Sequence, residues 1–243
     1  MSSQTDFNLS PYYDDFAESK KFHRILFRPA FAVQARELTQ SQTIVQNQIE
    51  KLGDHFFEKG AMVIPGEIGY DLSYYAVKLS SIDSTNTLAQ FTNGTVLTGS
   101  TSGVVATIVN QSATDGTDPD TLFVKYSKSG GTNKNEFKFA DGETITGTNS
   151  DSVNITAIVN TCATGSAAQV QAGSYYINGF MVNVAEQTII LDKYTDTPSY
   201  RVGLLVTESF ITPTQDITLN DNAQGVSNNN APGAHRFKID LTL

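Results

Sequence analysis

One cysteine, Cys162, is present in 243 residues. That excludes an intrachain disulfide and any zinc site built from cysteine pairs. No apolar run reaches the ~18 residues that a membrane-spanning helix needs. The start, Met1-Ser-Ser-Gln-Thr-Asp6, has neither the basic segment nor the apolar stretch of a secretory leader. Charge is scarce, at 17% of residues, and unbalanced, with 16 Lys and Arg against 25 Asp and Glu. The net charge of −9 argues against a broad nucleic-acid footprint, which needs clustered cations, and disfavours an anionic membrane surface. Gly-x-Ser-x-Gly, phosphate-loop and dinucleotide signatures are absent. The three histidines, His23, His55 and His235, have no ligand spacing. These absences predict no enzyme, no cofactor and no metal.

What is present begins with one amphipathic segment. Leu38, Gln42, Val45, Ile49, Leu52 and Phe56 recur at spacings of four, three, four, three and four, one stripe of a helix. The pattern predicts a helix from Gln34 to about Glu58, with Gly60 as the natural left-handed stop. In a heptad frame Leu38, Val45 and Leu52 are d positions, and Gln42, Ile49 and Phe56 are a positions. The frame lasts under three heptads, so two readings stand: a self-association seam, or a helix facing its own core. Residues 1–33 read as an extended arm, too apolar to float free, with Tyr12, Tyr13, Phe16, Phe22 and Phe27 as its anchors and a short strand over His23–Arg28.

After Gly60 the sequence turns to strand and turn. Ala61–Ile64 and Asp71–Ser81 read as strands. Phe91-Thr-Asn-Gly94-Thr-Val-Leu-Thr-Gly99 then returns as Phe139-Ala-Asp-Gly142-Glu-Thr-Ile-Thr-Gly147. Each copy continues to a second strand, Ala106-Thr-Ile-Val-Asn110 or Thr156-Ala-Ile-Val-Asn160. Each is therefore a hairpin, with Thr-Gly in its loop. Thr121–Tyr126 reads as a strand between them. Asn178-Gly179 marks a tight hairpin. Gln187–Leu191 and Tyr200–Thr207 read as β-branched strands, and Phe237, Ile239, Leu241 and Leu243 alternate with polar residues as a half-buried strand. The fold expected is mainly β with one long N-terminal helix: a β-sandwich or barrel body carrying an inserted small β module. The divisions are an arm at 1–33, a helix at 34–60, a main β domain at 61–82 and 162–243, and a small barrel with the hairpin repeat at 83–161. Asp115, Asp118 and Asp120 have the spacing of a Ca²⁺ loop without the EF-hand pattern, and read as a solvated acidic loop. Asp14, Asp15 and Glu18 could suggest a glycosidase pair, but they crowd into the arm with no cleft.

Several stretches together resemble the N-terminal region of bacteriophage tail-fibre and baseplate-wedge proteins, an uncharacterised domain common in phages of cyanobacteria and marine bacteria. They are Asn8-Leu-Ser-Pro-Tyr-Tyr-Asp-Asp-Phe16, Phe27-Arg-Pro-Ala30, Val33-Gln-Ala-Arg-Glu-Leu-Thr-Gln40, Tyr175-Tyr-Ile-Asn-Gly179, Pro198-Ser-Tyr-Arg-Val-Gly203 and Ala231-Pro-Gly-Ala-His-Arg236. The resemblance implies a virion structural protein, assembled in the host cytoplasm into the tail or baseplate. It implies a homotrimer joined through the helix, with other baseplate and tail-fibre proteins as partners and a host surface receptor as a further one. It implies Gly at position 30, where this chain has Ala, and more chain beyond Leu243. A host glycan- or protein-binding module is the alternative expectation, and a polysaccharide depolymerase a weaker one.

Overall fold

The computed structural model describes residues 5–243, so the first four residues of the expected arm lie outside the described residues. It is mainly β with a single α-helix, α1 (Ala35–Phe56), as the composition and periodicity predict. The strands are β1 (Met62–Ile64), β2 (Ile68–Ile82), β3 (Val96–Gly99), β4 (Val105–Ser112), β5 (Thr121–Lys128) and β6 (Thr144–Thr148). They continue as β7 (Asn154–Val170), β8 (Gly173–Ile177), β9 (Phe180–Val184), β10 (Gln187–Asp192), β11 (Leu205–Ile211) and β12 (Arg236–Thr242). The chain divides into two units. One, the helix unit, takes the described residues through Glu67 together with Val170–Gln187 and Gly203–Leu243. The other, the barrel unit, takes Ile68–Gln169 and Thr188–Val202.

In the barrel unit the strands pair in the order β10-β7-β2-β5-β4-β3-β6, and β6 pairs again with β7. Six strands therefore close a ring, with β10 outside it on β7. The interior holds Phe91, Leu97, Ile108, Leu122, Phe139, Ile145 and Ile155, all essentially fully buried. The small barrel expected at 83–161 takes in two strands from outside those bounds, β2 in the ring and β10 beside it. β2 belongs here and not to the other unit, because Val77 and Leu79 fill the ring's core and Tyr75–Lys78 ladder with Thr121–Val124. Its opposite face carries Tyr74 and Ala76 into a second cluster, where the Tyr74 ring stacks on Phe123 at 5.0 Å.

The repeat forms two hairpins, β3–β4 and β6–β7, and they join through β3 and β6. That joint is antiparallel and pairs Thr98 with its own counterpart Thr146, Leu97 with Gly147 and Gly99 with Ile145. Equivalent residues exchanging partners means a local two-fold axis passes between Thr98 and Thr146. Two expectations change here. Gly99 and Gly147 lie in strands, not in the hairpin loops. A Cβ on Gly147 would sit 2.4 Å from the Val96 carbonyl oxygen, and one on Gly99 would sit 2.5 Å from Glu143 Oε1. Gly147 clears room for the neighbouring β3 backbone and Leu97, and Gly99 for the side chains of Glu143 and Ser102. The second strands also match one residue later than the sequence alignment places them. Gly94 N–H donates to Ile108 O at 2.7 Å, and its counterpart Gly142 N–H donates to Val159 O at 2.9 Å. Ile108 thus corresponds to Val159, not to Ile158, which faces outward. A one-residue slip exchanges the two faces of a strand, and burial chooses the register that puts Ala157 and Val159 inside.

In the helix unit β1, β8 and β9 form a three-stranded sheet, and β11 and β12 a two-stranded ribbon. Asn178 and Gly179 both take positive φ, 49° and 83°, and turn β8 into β9. The alternation at the C-terminus forms β12, whose Ile239 and Leu241 join Tyr175, Ile177, Val182 and Val184 in one core. The strand expected to start at Tyr200 begins only at Leu205.

Candidate functional site

Helix α1 begins where Glu37 turns back to accept the Gln34 N–H at 2.8 Å, a bond that satisfies one exposed amide of the helix start. It ends at Phe56, four residues before Gly60. Gly60 is left-handed as expected (φ 87°), but it lies past an extended Phe57 and donates its N–H to Tyr176 O at 2.8 Å.

The face turned to the chain's own unit mixes one apolar side chain with small and polar ones. Ile44 and Gly53 are its buried residues. A Cβ on Gly53 would lie 2.5 Å from the Tyr176 ring, so the glycine is what lets helix and β8 approach. The Tyr176 hydroxyl donates to Asp54 Oδ1 at 2.7 Å and lies 3.0 Å from Glu50 O. Burial, then the bond to the Asp54 carboxylate, push that phenol up to about 12. Gln46 Nε2 donates to Gly179 O at 2.7 Å.

The apolar stripe points the other way. Leu38, Val45, Ile49, Leu52 and Phe56 are 46–68% exposed, and Gln42 is exposed between them. The stripe does not face the core of its own unit. The helix therefore has two faces with different tasks: Gly53, Gln46 and Ile44 hold it to its own body, and six other side chains are presented to solvent.

The expected docking arm splits in two. Residues 5–16 fold back on the helix unit. Phe7 meets Phe237 edge-on at 5.0 Å and Phe210 at 5.8 Å, and Thr5 N–H donates to Glu208 Oε2 at 2.9 Å. Tyr12 packs on Phe210 at 4.9 Å, and its hydroxyl bonds His235 Nδ1 at 2.7 Å. Phe16 is half-buried, and Tyr13 is exposed at positive φ. Phe22 and Phe27 belong to the second part, where Phe22, Leu26, Phe27, Phe31 and Val33 are all more than half exposed. No strand forms over His23–Arg28. Its β-type composition finds no sheet edge to pair with, and Pro29 followed by left-handed Ala30 (φ 66°) breaks the extension. Ala30 is the position where the resemblance implies Gly, and its conformation is one that glycine takes without a Cβ clash.

The carboxylates of the arm tie it to α1. Asp14 is buried and accepts from the Thr43 hydroxyl and from Phe16 N–H at 3.2 Å. Asp15 accepts from Gln40 at 3.1 Å and pairs with Arg36 at 3.5 Å. Glu18 pairs with Lys51, whose bond and charge hold its carboxyl below the usual range. Each of the three carboxylates thus has a partner on the helix, Thr43, Gln40 with Arg36, or Lys51, and acts as a tether. In the barrel unit Lys193 Nζ lies 2.8 Å from Asp115 and 3.4 Å from Asp118, while Asp120 accepts Thr114 N–H at 2.8 Å. Among the described residues no three His, Cys, Asp or Glu side chains gather as a metal site would require, and no helix is long and apolar enough to cross a membrane. Cys162, half-buried, sits between the Tyr126 hydroxyl and Phe139 O, each at 3.5 Å, and burial pushes its thiol up. Tyr175 and Tyr176 are buried, and the exposed Tyr200 lies in a loop where it donates to Asp192 at 3.0 Å.

Sequence periodicity found the stripe. It missed Gly53 and Tyr176, which decide the direction the stripe faces, because a lone glycine in a helix reads only as a weak spot.

No curated protein and no solved structure matches the chain. A family of domains of unknown function does match, over residues 10–120 and 124–243, which is nearly the whole chain. The chain that carries this outward helix face and this strand ring belongs to that family, DUF4815.

Proposed function

We propose that this protein is a virion structural component, a homotrimeric baseplate-wedge or tail-fibre connector that joins fibre or receptor-binding parts to a phage baseplate. One observation carries the reading: the apolar stripe of α1 faces away from its own body over five turns. A monomer has no use for such a stripe. Removing five half-exposed aliphatic and aromatic side chains from water is worth on the order of 1 kcal/mol each. That is comparable with the lower end of the ~4–15 kcal/mol entropic cost of association. The seam thus offsets roughly the lower end of that cost, and stable assembly draws on further contacts as well. The closed strand ring serves as the stiff body, and the count of three rests on the resemblance to tail-fibre and baseplate-wedge proteins.

The test is the mass of the purified chain by multi-angle light scattering. The expected mass is that of three chains. Val45→Asp and Ile49→Asp should each reduce it to one chain with an unchanged far-ultraviolet circular dichroism spectrum. A single-chain mass for the unmutated protein at tens of micromolar would overturn the proposal.

A further inference from the structure

Residues 18–36 are exposed at every position except Ile25. Between Glu18 and Glu37 this run contains no acidic residue and five cations: Lys20, Lys21, Arg24, Arg28 and Arg36. The chain's net charge of −9 includes those five, so the remainder carries −14 (−9 minus 5). Interleaved with the cations are Phe22, Leu26, Phe27, Phe31 and Val33, all more than half exposed. The segment joins no strand. Arg28 stands over its own Phe31 ring at 4.2 Å, and Lys20 and Arg36 make only loose pairs with Asp15. Both ends are fixed, at Glu18 by Lys51 and at Ala35 by the start of α1. A contiguous, exposed apolar patch of this kind marks an interaction surface, and its charge selects the partner. An anionic membrane or a nucleic acid would attract the segment but repel the −14 of the rest of the chain. A second copy of this chain attracts it and presents an exposed apolar stripe besides.

We infer that residues 20–36 form a strap that crosses to a neighbouring copy of this chain, its aromatic side chains closing the solvent-facing edge of the α1 seam and its cations set against that copy's acidic groups. The strap rests on the self-association reading and names a second set of contacts for it. Reach is sufficient. About 15 extended residues span roughly 50 Å, so a segment held at both ends extends outward by up to about half that, well beyond the ~8–10 Å between packed helices. In an oligomer the acidic bodies repel one another, and the strap places positive charge between them.

The full-length chain tests this. A photoreactive benzoylphenylalanine at Leu26, in a mixture of isotopically light and heavy protein, should give light–heavy crosslinks to peptides of α1. Crosslinks confined to one chain overturn the strap. Separately, the triple variant Lys21→Glu, Arg24→Glu, Arg28→Glu should weaken self-association at least tenfold at 50 mM salt, with the difference fading at 500 mM as screening removes the attraction. Val45→Asp should dissociate the protein at both salt levels. Unchanged association of the triple variant overturns the strap and leaves the seam standing, whereas a monomeric unmutated chain overturns both. Binding of the unmutated protein to phosphatidylserine vesicles or to duplex DNA, lost in the triple variant, would overturn the second copy as the occupant.

Discussion

The barrel unit and the helix unit treat their apolar side chains in opposite ways. In the first, Phe91, Leu97, Phe139 and Ile145 are sealed inside a ring that has no open seam, because β6 pairs with both β3 and β7. In the second, five large apolar side chains of α1 and five of the preceding segment lie in solvent, although the same unit has a packed core around Tyr175 and Val184. Hydrophobic burial drives both arrangements. The difference is where the burial stands: complete inside the ring, and left open on the outer face of the helix. Under the proposed assembly, the ring is finished on folding and the helix unit only against a neighbour.

Substitutions should separate these two behaviours. The largest effect is expected in the ring. Phe139→Ala removes a ring that packs edge-on against Tyr126 at 5.4 Å, and should cost about 3–5 kcal/mol in urea unfolding. Next is Gly147→Ala, where the added Cβ meets the Val96 carbonyl and should cost about 2 kcal/mol. In the helix unit, Tyr176→Phe leaves the Asp54 carboxylate without its donor and should cost about 1 kcal/mol. The same phenol adds a pH dependence. An unfolded tyrosine ionises near pH 10, whereas Tyr176 holds its proton up to about 12. Between those values the folded chain binds the extra proton, so stability falls as pH rises across that window. Tyr176→Phe should flatten part of that slope in unfolding titrations. Ala30→Gly should raise the unfolding free energy by roughly 1 kcal/mol in urea titrations, since it relieves a left-handed alanine. The smallest effect sharpens the comparison most. Leu52→Ser, placed in the monomeric Val45→Asp background, should change stability by no more than ~0.5 kcal/mol. A loss near that of Phe139→Ala would show that the stripe supports its own unit, and the contrast between the two units would fail.

Much of this architecture is legible in the residues. The spacing from Leu38 to Phe56 specifies the helix to within two residues at its C-terminus, and Asn178-Gly179 specifies its hairpin. The paired Phe–x–(Asn/Asp)–Gly segments announce two hairpins. What local pattern does not contain is the partner of each strand. β2 reads as part of the main domain because nothing in Val77 or Leu79 names β5 as its neighbour. The slipped match of Ile108 with Ile158 is similar: identity of letters favours one alignment, and burial of Val159 favours the other. The arm was readable as apolar but not as two parts, because Phe7 and Phe22 differ only in whether a surface such as Phe210 and Phe237 is within reach. For the stripe, periodicity gives the face and leaves its direction open. Gly53 against Tyr176 decides it, a contact between residues more than a hundred positions apart.

The local two-fold axis between Thr98 and Thr146 has a further meaning for folding. A hairpin whose free edge fits a duplicate of itself offers that same edge to every other chain folding nearby. Chemistry does not distinguish the duplicate within the chain from the one on a neighbour, so only proximity does. Tethering by some forty residues keeps the internal copy at an effective concentration on the order of millimolar, far above that of any separate chain in dilute solution. Crowded synthesis narrows that advantage, and exchanged hairpins are the misassembled product that the duplication itself makes available.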